Sequence, residues 1–297
     1  MGVSIYNIKR WVRMLTGKSI YHVEQGLGKA IERGGYYNDL TQKVLLGEKN
    51  LDENGIPFLE HDDGSHVQMP TMIFQYGLGA FDLWLLENKE IYLNKAILCA
   101  EWAIEHQKDD GSWSTFFYVY PDNAYSAMPQ GEAVSLLLRI YKETKEEKWI
   151  VAAKKAVDFM LKDVKNGGVA KRVNNKLYLL EYTHLPIVLN GWIFAAWGLY
   201  DASKFWDKYK TEFEQTVDTM IELLPRFDNG YWSLYDLGGM ITSPFYHNLH
   251  IVQMEAMYMI TKNPVFLNYQ EKFRNYSNKW LNEKRAFIIK ALQKIKE

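Results

Sequence analysis

Residues 187–200 read IVLNGWIFAAWGLY, and the pattern of this stretch decides the fold. At 3.6 residues per turn its apolar side chains fall on every side of a helix, so such a helix has to be buried on every side. Residues 148–162 show a different pattern, in which Trp149 and Ala153 share an apolar face and Lys154 and Asp158 lie on a polar one. The sequence therefore predicts two kinds of helix, one enclosed by protein and one half exposed to solvent.

The two kinds of helix alternate along the chain in four inner–outer pairs. The predicted inner helices cover residues 71–86, 130–141, 187–200 and 250–260, and the predicted outer helices cover residues 89–107, 148–162, 207–224 and 264–281. Gly77, Gly131 and Gly191 mark equivalent places in three copies, 54 and 60 positions apart. Self-similarity of this kind indicates a stack of one helical unit. We expect a mainly α protein, an incomplete α/α toroid with short β-hairpins between its helices.

The first 68 residues do not follow the repeat. We expect an N-terminal helix and an extended N-terminal arm within residues 1–68, packed on a toroid that covers residues 69–297. Turn signals such as the Asn-Gly pair at 54–55 favour the extended conformation of the arm. We expect the arm to cover one end of the ring. The turns at 110–111 and 228–230 should lie at that same end, where a cleft should open.

The charge balance and the cysteine count exclude several classes of protein. The net charge is −1 and the pI is about 6.7, so no global basic excess points to nucleic acid. Cys99 is the only cysteine, which excludes a disulfide framework, and we interpret it as a small core residue. The apolar run at 187–200 is interrupted by Asn190 and is shorter than the roughly 18 residues of a membrane span. No signal peptide is predicted. We expect a cytoplasmic protein without an integral membrane segment.

Aromatic residues are unusually frequent, with 20 Tyr, 10 Trp and 14 Phe. Core packing accounts for many of them. Tyrosine and tryptophan combine an apolar ring with a polar tip, and their surplus predicts a cleft whose walls stack on sugar rings.

Several blocks of sequence, in a fixed order, indicate a more specific function. Residues 125–132 read YSAMPQGE, residues 181–191 read EYTHLPIVLNG, residues 233–237 read SLYDL and residues 246–250 read YHNLH. In this order they resemble the SAM-QGQ, EEYP–VLNG, TIYDL and DYHTTH signatures of the D-glucuronyl C5-epimerase family. The resemblance covers roughly residues 70–282. It implies a helical-toroid catalytic domain that inverts C5 of D-glucuronic acid in a heparosan-type chain and produces L-iduronic acid.

Inversion at C5 begins with the removal of a proton next to a carboxylate. The resulting carbanion is stabilised only if the carboxylate charge is neutralised by hydrogen bonds or by a cation. A second group then has to return a proton from the opposite face. A base, an acid and a carboxylate clamp are sufficient, and no cofactor is required. A tyrosine can act as base or acid if its neighbours lower its pKa from about 10.

The resemblance also assigns catalytic residues. Tyr182, Tyr235 and Tyr246 match the functional tyrosines of the family, and Glu181 matches their acidic partner. We expect Tyr182 or Glu181 to act on one face of the sugar and Tyr246 on the other, with Tyr235 binding or relaying a proton. A role in the core or at the rim is the alternative for each tyrosine in a protein this rich in aromatic residues.

Six further residues are predicted to bind the substrate: Gln130, Arg172, His184, Asn190, His247 and His250. His247 and His250 have a helical i, i+3 spacing that could hold a metal. No cysteine and no further carboxylate lies close in sequence, so we favour hydrogen bonds to a sugar or a tyrosinate and predict no metal. Asn190, polar within an apolar helix, either satisfies a loop carbonyl or faces the cleft.

One position departs from the family pattern. The family has an arginine directly after its Tyr-Asp-Leu, where this chain has Gly238. The clamp must then come from Lys171, Arg172 or Arg139, or the substrate differs. Because an arginine fork pairs both oxygens of a carboxylate, we select Arg172 as the replacement clamp. A solvated charge on a hairpin is the alternative for Arg172.

Other functions stay open at this stage. A uronate lyase would use the same proton abstraction, and a glycoside hydrolase would need two carboxylates about 5–10 Å apart, such as Glu181 with Asp236 or Glu132 with Glu181. A non-catalytic glycan-binding protein would keep the aromatic cleft alone. In each case the expected partner is an acidic polysaccharide, and assembly as a homodimer is left open.

Overall fold

A computed structural model describes residue 23, residues 25–60 and residues 64–296 of the chain. The N-terminal helix predicted from the sequence lies outside these described residues. Within them a short helix, α1 (Thr41–Leu45), precedes four helix pairs. In chain order the pairs are α2 (Pro70–Glu87) with α3 (Glu90–Glu105), α4 (Ala127–Thr144) with α5 (Glu147–Met160), α6 (Leu189–Ser203) with α7 (Lys210–Leu223), and α8 (Pro244–Thr261) with α9 (Pro264–Ser277).

The first helix of each pair belongs to an inner ring. Neighbouring inner helices pack side by side, α2 on α4, α4 on α6 and α6 on α8, and each also packs on its outer partner. In the outer helix α5, Trp149 and Met160 are buried and Lys155 and Asp158 are exposed, as the apolar periodicity predicts. The incomplete α/α toroid expected from the sequence is confirmed.

Glycine allows the inner helices to approach each other closely. A Cβ atom on Gly198 would lie 2.3 Å from the Cα atom of Gly131, so α4 and α6 cross with their backbones in contact. The inner helices run in the same direction: Gln75 and Glu132, each the sixth residue of its helix, are hydrogen-bonded at 2.7 Å. The N-terminal ends of the ring helices therefore gather at one end of the toroid.

Within the described residues, two antiparallel β-hairpins connect helices. Strand β1 (Leu59–Glu60) pairs with β2 (His66–Val67) ahead of α2, and β3 (Ala170–Val173) pairs with β4 (Lys176–Leu179) between α5 and α6. Asn174 and Asn175, at the tip of the second hairpin, have φ values of 49° and 62°. Asparagine tolerates this left-handed conformation, which matches the twist of a two-residue hairpin.

The first described part of the arm packs at the C-terminal ends of the inner helices, opposite to the end of the ring that we predicted. The amide of Tyr36 donates to Oδ1 of Asp82 at 2.8 Å, and the hydroxyl of Tyr37 donates to Oδ1 of Asp201 at 2.5 Å. Asp82 and Asp201 lie in the C-terminal parts of α2 and α6, and Asp201 is paired there with the buried Arg139 at 2.6 Å. The expectation that the whole arm shares an end with the turns at 110–111 and 228–230 is wrong. Buried charges need polar partners, and the arm supplies them.

The later part of the arm reaches the end where the inner helices begin. Gln68 donates from Nε2 to Oδ2 of Asp52 at 2.8 Å, and Nε1 of Trp102, in the last turn of α3, donates to Oε1 of Gln68 at 2.7 Å. The arm thus runs from one end of the toroid to the other. The domain boundary after residue 68 stays a prediction.

Two helix boundaries near the C-terminus differ from the prediction. Helix α8 begins at Pro244, six residues before the predicted start, because Ser243 caps it and proline suits the first helical position. The predicted outer helix 264–281 ends at Ser277, and a separate helix, α10 (Trp280–Lys296), follows. No glycine or proline marks this break, so periodicity did not separate the two helices. Among the described residues, no helix is long and apolar enough to cross a membrane.

Candidate active site

The predicted catalytic residues lie where outer helices connect to inner ones. Glu181 and Tyr182 follow strand β4 and precede α6, Tyr235 lies in the loop before α8, and Tyr246 is in the first turn of α8. Backbone hydrogen bonds join the first two segments: Leu189 donates to the carbonyl of Tyr235 at 3.1 Å. Two loops distant in the chain are therefore held side by side at one end of the toroid.

The carboxyl group of Glu181 is at the centre of this arrangement. Its side chain is buried, and Oε1 accepts a 3.3 Å hydrogen bond from the hydroxyl of Tyr235. The carboxyl lies against α6 at Gly191, where an added Cβ would come within 2.1 Å of Oε2. Burial raises the pKa of Glu181 to about 7, against the opposing effect of hydrogen bonds from Tyr235 and Tyr182. This carboxyl can therefore gain or lose a proton near neutral pH.

The three tyrosines surround this carboxyl and each other. The rings of Tyr235 and Tyr246 meet edge to face, with centroids 5.3 Å apart and an interplanar angle of 69°. Tyr182 is close enough to Glu181, Tyr235 and Tyr246 for each of them to shift its pKa. All four residues that the sequence singled out for catalysis are thus brought into one group, which we call the Glu181 cluster (Glu181, Tyr182, Tyr235 and Tyr246).

The electrostatics of the cluster oppose the formation of a free tyrosinate. Burial raises the pKa of Tyr182 and of Tyr235 well above the ordinary value, and the charge of Glu181 raises both further. For Tyr182 and Tyr235 the structure therefore shows the opposite of the lowered pKa expected from the sequence. These two tyrosines are neutral proton donors and acceptors, and Glu181 ionises near neutral pH.

An aromatic wall adjoins the cluster. Phe116 stacks on Tyr182 with ring centroids 4.5 Å apart and an interplanar angle of 17°, and Tyr120 meets Tyr182 edge to face at 6.0 Å. His184, predicted to bind substrate, is exposed, with its ring 4.6 Å from that of Tyr120. Phe116 and Tyr120 were not among the predicted site residues, although the aromatic run at 116–120, between an outer and an inner helix, was an available signal.

Three of the predicted substrate-binding residues are buried in the N-terminal halves of inner helices. Gln130, Asn190 and His250 are each at most 3% exposed. Among the described residues, Oε1 of Gln130, Oδ1 of Asn190 and Nε2 of His250 have no hydrogen-bond partner. Buried polar atoms are normally satisfied, so these three predicted substrate-binding residues leave unused hydrogen-bonding capacity inside the ring.

The remaining predicted binding residues have local partners. His247 stacks on Trp232 at 3.7 Å, accepts at Nδ1 from the amide of Ser233 at 3.1 Å and lies with Nε2 3.0 Å from the carbonyl of Phe273. These contacts give His247 a structural role, and we leave it out of the proposed substrate contacts. Within the described ranges, no group of three or more His, Cys, Asp or Glu residues could hold a metal ion.

Arg172, our candidate for the carboxylate clamp, has a backbone partner at the end of an outer helix. It is exposed on strand β3, and Nη1 donates to the carbonyl of Leu161 at 2.8 Å, directly after the end of α5. Asp236, weighed as a second hydrolase carboxylate, accepts at Oδ1 from the amides of Gly238 and Met240 at 2.9 and 3.1 Å. Oδ1 of Asp236 therefore stabilises the turn at residues 236–240.

The fold and the site define the class: an incomplete α/α toroid with a buried carboxyl–tyrosine cluster at the N-terminal end of its inner ring. The family described as D-glucuronyl C5-epimerase C-terminus matches residues 108–275, more than half of the chain. The chain therefore belongs to this family, and the resemblance found in the sequence is confirmed.

The sequence identity to individual relatives is low. The chain is 26% identical over 225 residues to the D-glucuronyl C5-epimerase of Caenorhabditis elegans, a match that covers 65% of this chain and 36% of that protein. It is 30% identical over 159 residues to an uncharacterised protein of Methanocaldococcus jannaschii, covering 50% of this chain and 51% of that one. The chain thus spans about a third to a half of the length of these relatives.

Two solved structures share the fold. A cellobiose 2-epimerase from Bacillus thermoamylovorans superposes with a TM-score of 0.55 and 13% identity, covering 78% of this chain and 68% of that one. An unsaturated glucuronyl hydrolase specific for heparin superposes with a TM-score of 0.50 and 14% identity, covering 76% and 69%. Both likenesses concern the fold alone.

Proposed function

We propose that this protein is an isomerase that inverts C5 of D-glucuronic acid residues in an acidic polysaccharide of the glycosaminoglycan type. The observation that carries the proposal is the Glu181 cluster: a buried carboxyl with a pKa of about 7, hydrogen-bonded to Tyr235 and close to two further tyrosines. Membership of the D-glucuronyl C5-epimerase family supports the same reaction. Two proton carriers on either side of one sugar carbon are what inversion requires.

The first proton transfer uses the Glu181 side of the cluster. The C5 proton passes to the Glu181 carboxylate, either directly or through the hydroxyl of Tyr182, which gives up its own proton to Glu181 as it takes the one from C5. The electron pair of the broken C–H bond is delocalised into the adjacent carboxylate of the sugar. A tyrosine that exchanges one proton for another stays neutral throughout, which agrees with the raised pKa of Tyr182.

The second transfer comes from Tyr246 on the other face. Its phenolic proton goes to C5 and completes the inversion. Tyr235 contacts Tyr246 by its ring and donates its hydroxyl to Glu181. It can therefore return the proton held by Glu181 to Tyr246, so that the site regains its starting state. Every proton is accounted for, and no cofactor takes part in this route.

Incubation with de-N-acetylated, N-sulfated heparosan in deuterated water tests the proposal. Deuterium should appear at C5, with L-iduronic acid in the product and the chain length unchanged. An unsaturated uronate that absorbs in the ultraviolet would identify a lyase, and new reducing ends would identify a hydrolase. Binding of the polymer without exchange would indicate a glycan-binding protein. Each of these three results contradicts the epimerase proposal.

Two further features are predictions from the sequence. The cytoplasmic location rests on the single cysteine, and assembly as a homodimer remains open. Fractionation of the source cells measures the location, and size-exclusion chromatography with light scattering measures the oligomeric state.

A further inference from the structure

The loop that carries Tyr235 has no cation of its own. Gly238 and Gly239 follow Leu237 where the family has an arginine, and both glycines are exposed. The carbanion formed at C5 places charge on the sugar carboxylate, and a cation close to that carboxylate stabilises the charge as it develops. The proposed reaction therefore needs a positive group from another part of the chain.

Helix α10 brings such a group to the cluster. Lys290 is only 8% exposed, and its Nζ lies 5.4 Å from the centroid of the Tyr235 ring, within cation–π range. Lysine is rarely buried to this extent. On the same helix Lys284 is exposed, so the burial of Lys290 reflects its position towards the toroid.

Direct contacts hold α10 against the loop that contains Tyr235. Oε1 of Gln293 accepts from the amide of Ile241 at 2.9 Å, and Nε2 of Gln293 donates to the carbonyl of Gly239 at 3.1 Å. Ala286, one turn before Lys290, is completely buried in an apolar cluster with Trp232 and Ile241. The helix is thus fixed to both ends of the loop, so the ammonium group of Lys290 has a defined position relative to Tyr235.

Two other basic residues contact other parts of the chain. Arg172 donates to the carbonyl of Leu161, and Arg139 is paired with Asp201 near the opposite end of the inner helices. Lys290 contacts a ring of the cluster itself, from a helix that the family signature blocks do not include.

We propose that Lys290 is the group that binds the carboxylate of the uronic acid residue during C5 inversion, in place of the arginine that Gly238 lacks. This inference rests on the proposed function. Lysine presents a compact charge and not a planar fork, so it neutralises the carboxylate without fixing both of its oxygens. Tyr235 contacts both groups, Lys290 through its ring and Glu181 through its hydroxyl.

The test compares Lys290→Met, Lys290→Gln and Lys290→Arg, with Lys284→Met as the matched control on the same helix. Two polymers are used: de-N-acetylated, N-sulfated heparosan and the same polymer with its carboxyl groups reduced to alcohols. C5 deuterium exchange and the Kd for each polymer are measured on the full chain. Thermal unfolding checks that each variant is folded.

We expect the two neutral variants to lose about 100-fold in exchange rate and to bind the carboxylated polymer more weakly. Their affinity for the reduced polymer should stay as in the unmodified protein, Lys290→Arg should recover much of the exchange, and Lys284→Met should change neither measurement. Exchange by Lys290→Met at the unmodified rate would overturn the inference, as would an equal loss of affinity for both polymers.

The two proposals fail in different ways. If the unmodified protein exchanges C5 but the neutral variants do so equally well, the epimerase proposal stands and the assignment of Lys290 falls. If the unmodified protein does not exchange C5, the epimerase proposal falls. The ratio of the two Kd values then decides Lys290: a preference for the carboxylated polymer that disappears in Lys290→Met supports the assignment, and a preference that persists overturns it.

Discussion

The hydroxyl of Tyr235 donates a 3.3 Å hydrogen bond to Oε1 of Glu181, and this bond joins two loops whose residues are 54 positions apart. It connects a neutral phenol to a buried carboxyl whose pKa is raised to about 7. In the proposed reaction the carboxyl changes its charge near neutral pH, and Tyr182 and Tyr235 transfer protons while they stay neutral.

The pH dependence of the reaction should report Glu181. The carboxylate has to be ionised to accept the C5 proton, so C5 exchange should rise as the pH rises through about 7. Glu181→Gln should lose about 100-fold or more in rate and should lack this rising limb. The pH profile of deuterium exchange measures both effects. A rising limb that persists unchanged in Glu181→Gln would assign the ionisation to another group.

The tyrosine hydroxyls should matter for turnover more than for binding. Tyr182→Phe and Tyr246→Phe remove a proton carrier and keep the ring, so we expect about a 100-fold loss of exchange with the Kd for the polymer nearly unchanged. Tyr141→Phe is the matched control, because Tyr141 lies in the last turns of α4 with its ring 6.0 Å from that of Phe205. Full activity in both Tyr182→Phe and Tyr246→Phe would refute the proton route.

Gly191 should be required for the position of Glu181. A Cβ atom at residue 191 would lie 2.1 Å from Oε2 of Glu181, so Gly191→Ala has to displace the Glu181 side chain from its position in the cluster. We expect a loss of exchange and a destabilisation of about 1–3 kcal/mol, measured by urea unfolding. Gly26→Ala is the control, since no atom lies within 4 Å of the Cβ it would add. Wild-type exchange by Gly191→Ala would show that the site does not depend on this contact.

Glu132 should make the fold less stable at alkaline pH. Burial raises its pKa from 4.5 to about 8, against the opposing hydrogen bond from Gln75. Between these two pH values the native state holds more protons than the unfolded state, so the contribution of Glu132 to stability falls as the pH rises from about 4.5 to about 8.

Glu132→Gln removes this ionisation and keeps an acceptor for the amide of Gln75. The variant should therefore lose less stability than the unmodified protein between acid and alkaline pH, with a difference of roughly 2–4 kcal/mol. Urea unfolding of both proteins at several pH values from 5 to 9 measures it. Parallel stability curves for the two proteins would contradict the raised pKa of Glu132.

The sequence alone determined the architecture and the identity of the cluster. The apolar periodicity of residues 187–200 predicts a helix buried on all sides. This signal is local, so it can be recognised without knowing which helices surround it. The blocks at 181–182, 233–237 and 246–250 located Glu181 and the three tyrosines, all of which the structure brings together.

Only the tertiary structure decided how these residues behave. The pKa directions depend on burial by distant segments, and they are opposite to the lowering that a tyrosine base requires. The pairing of Tyr36 and Tyr37 with buried aspartates at the far end of the ring, and the placement of Lys290 over Tyr235, join residues more than 40 positions apart. Periodicity predicts which face of each helix is apolar, but it does not predict which faces pack against each other. The desolvation that shifts a pKa depends on that packing.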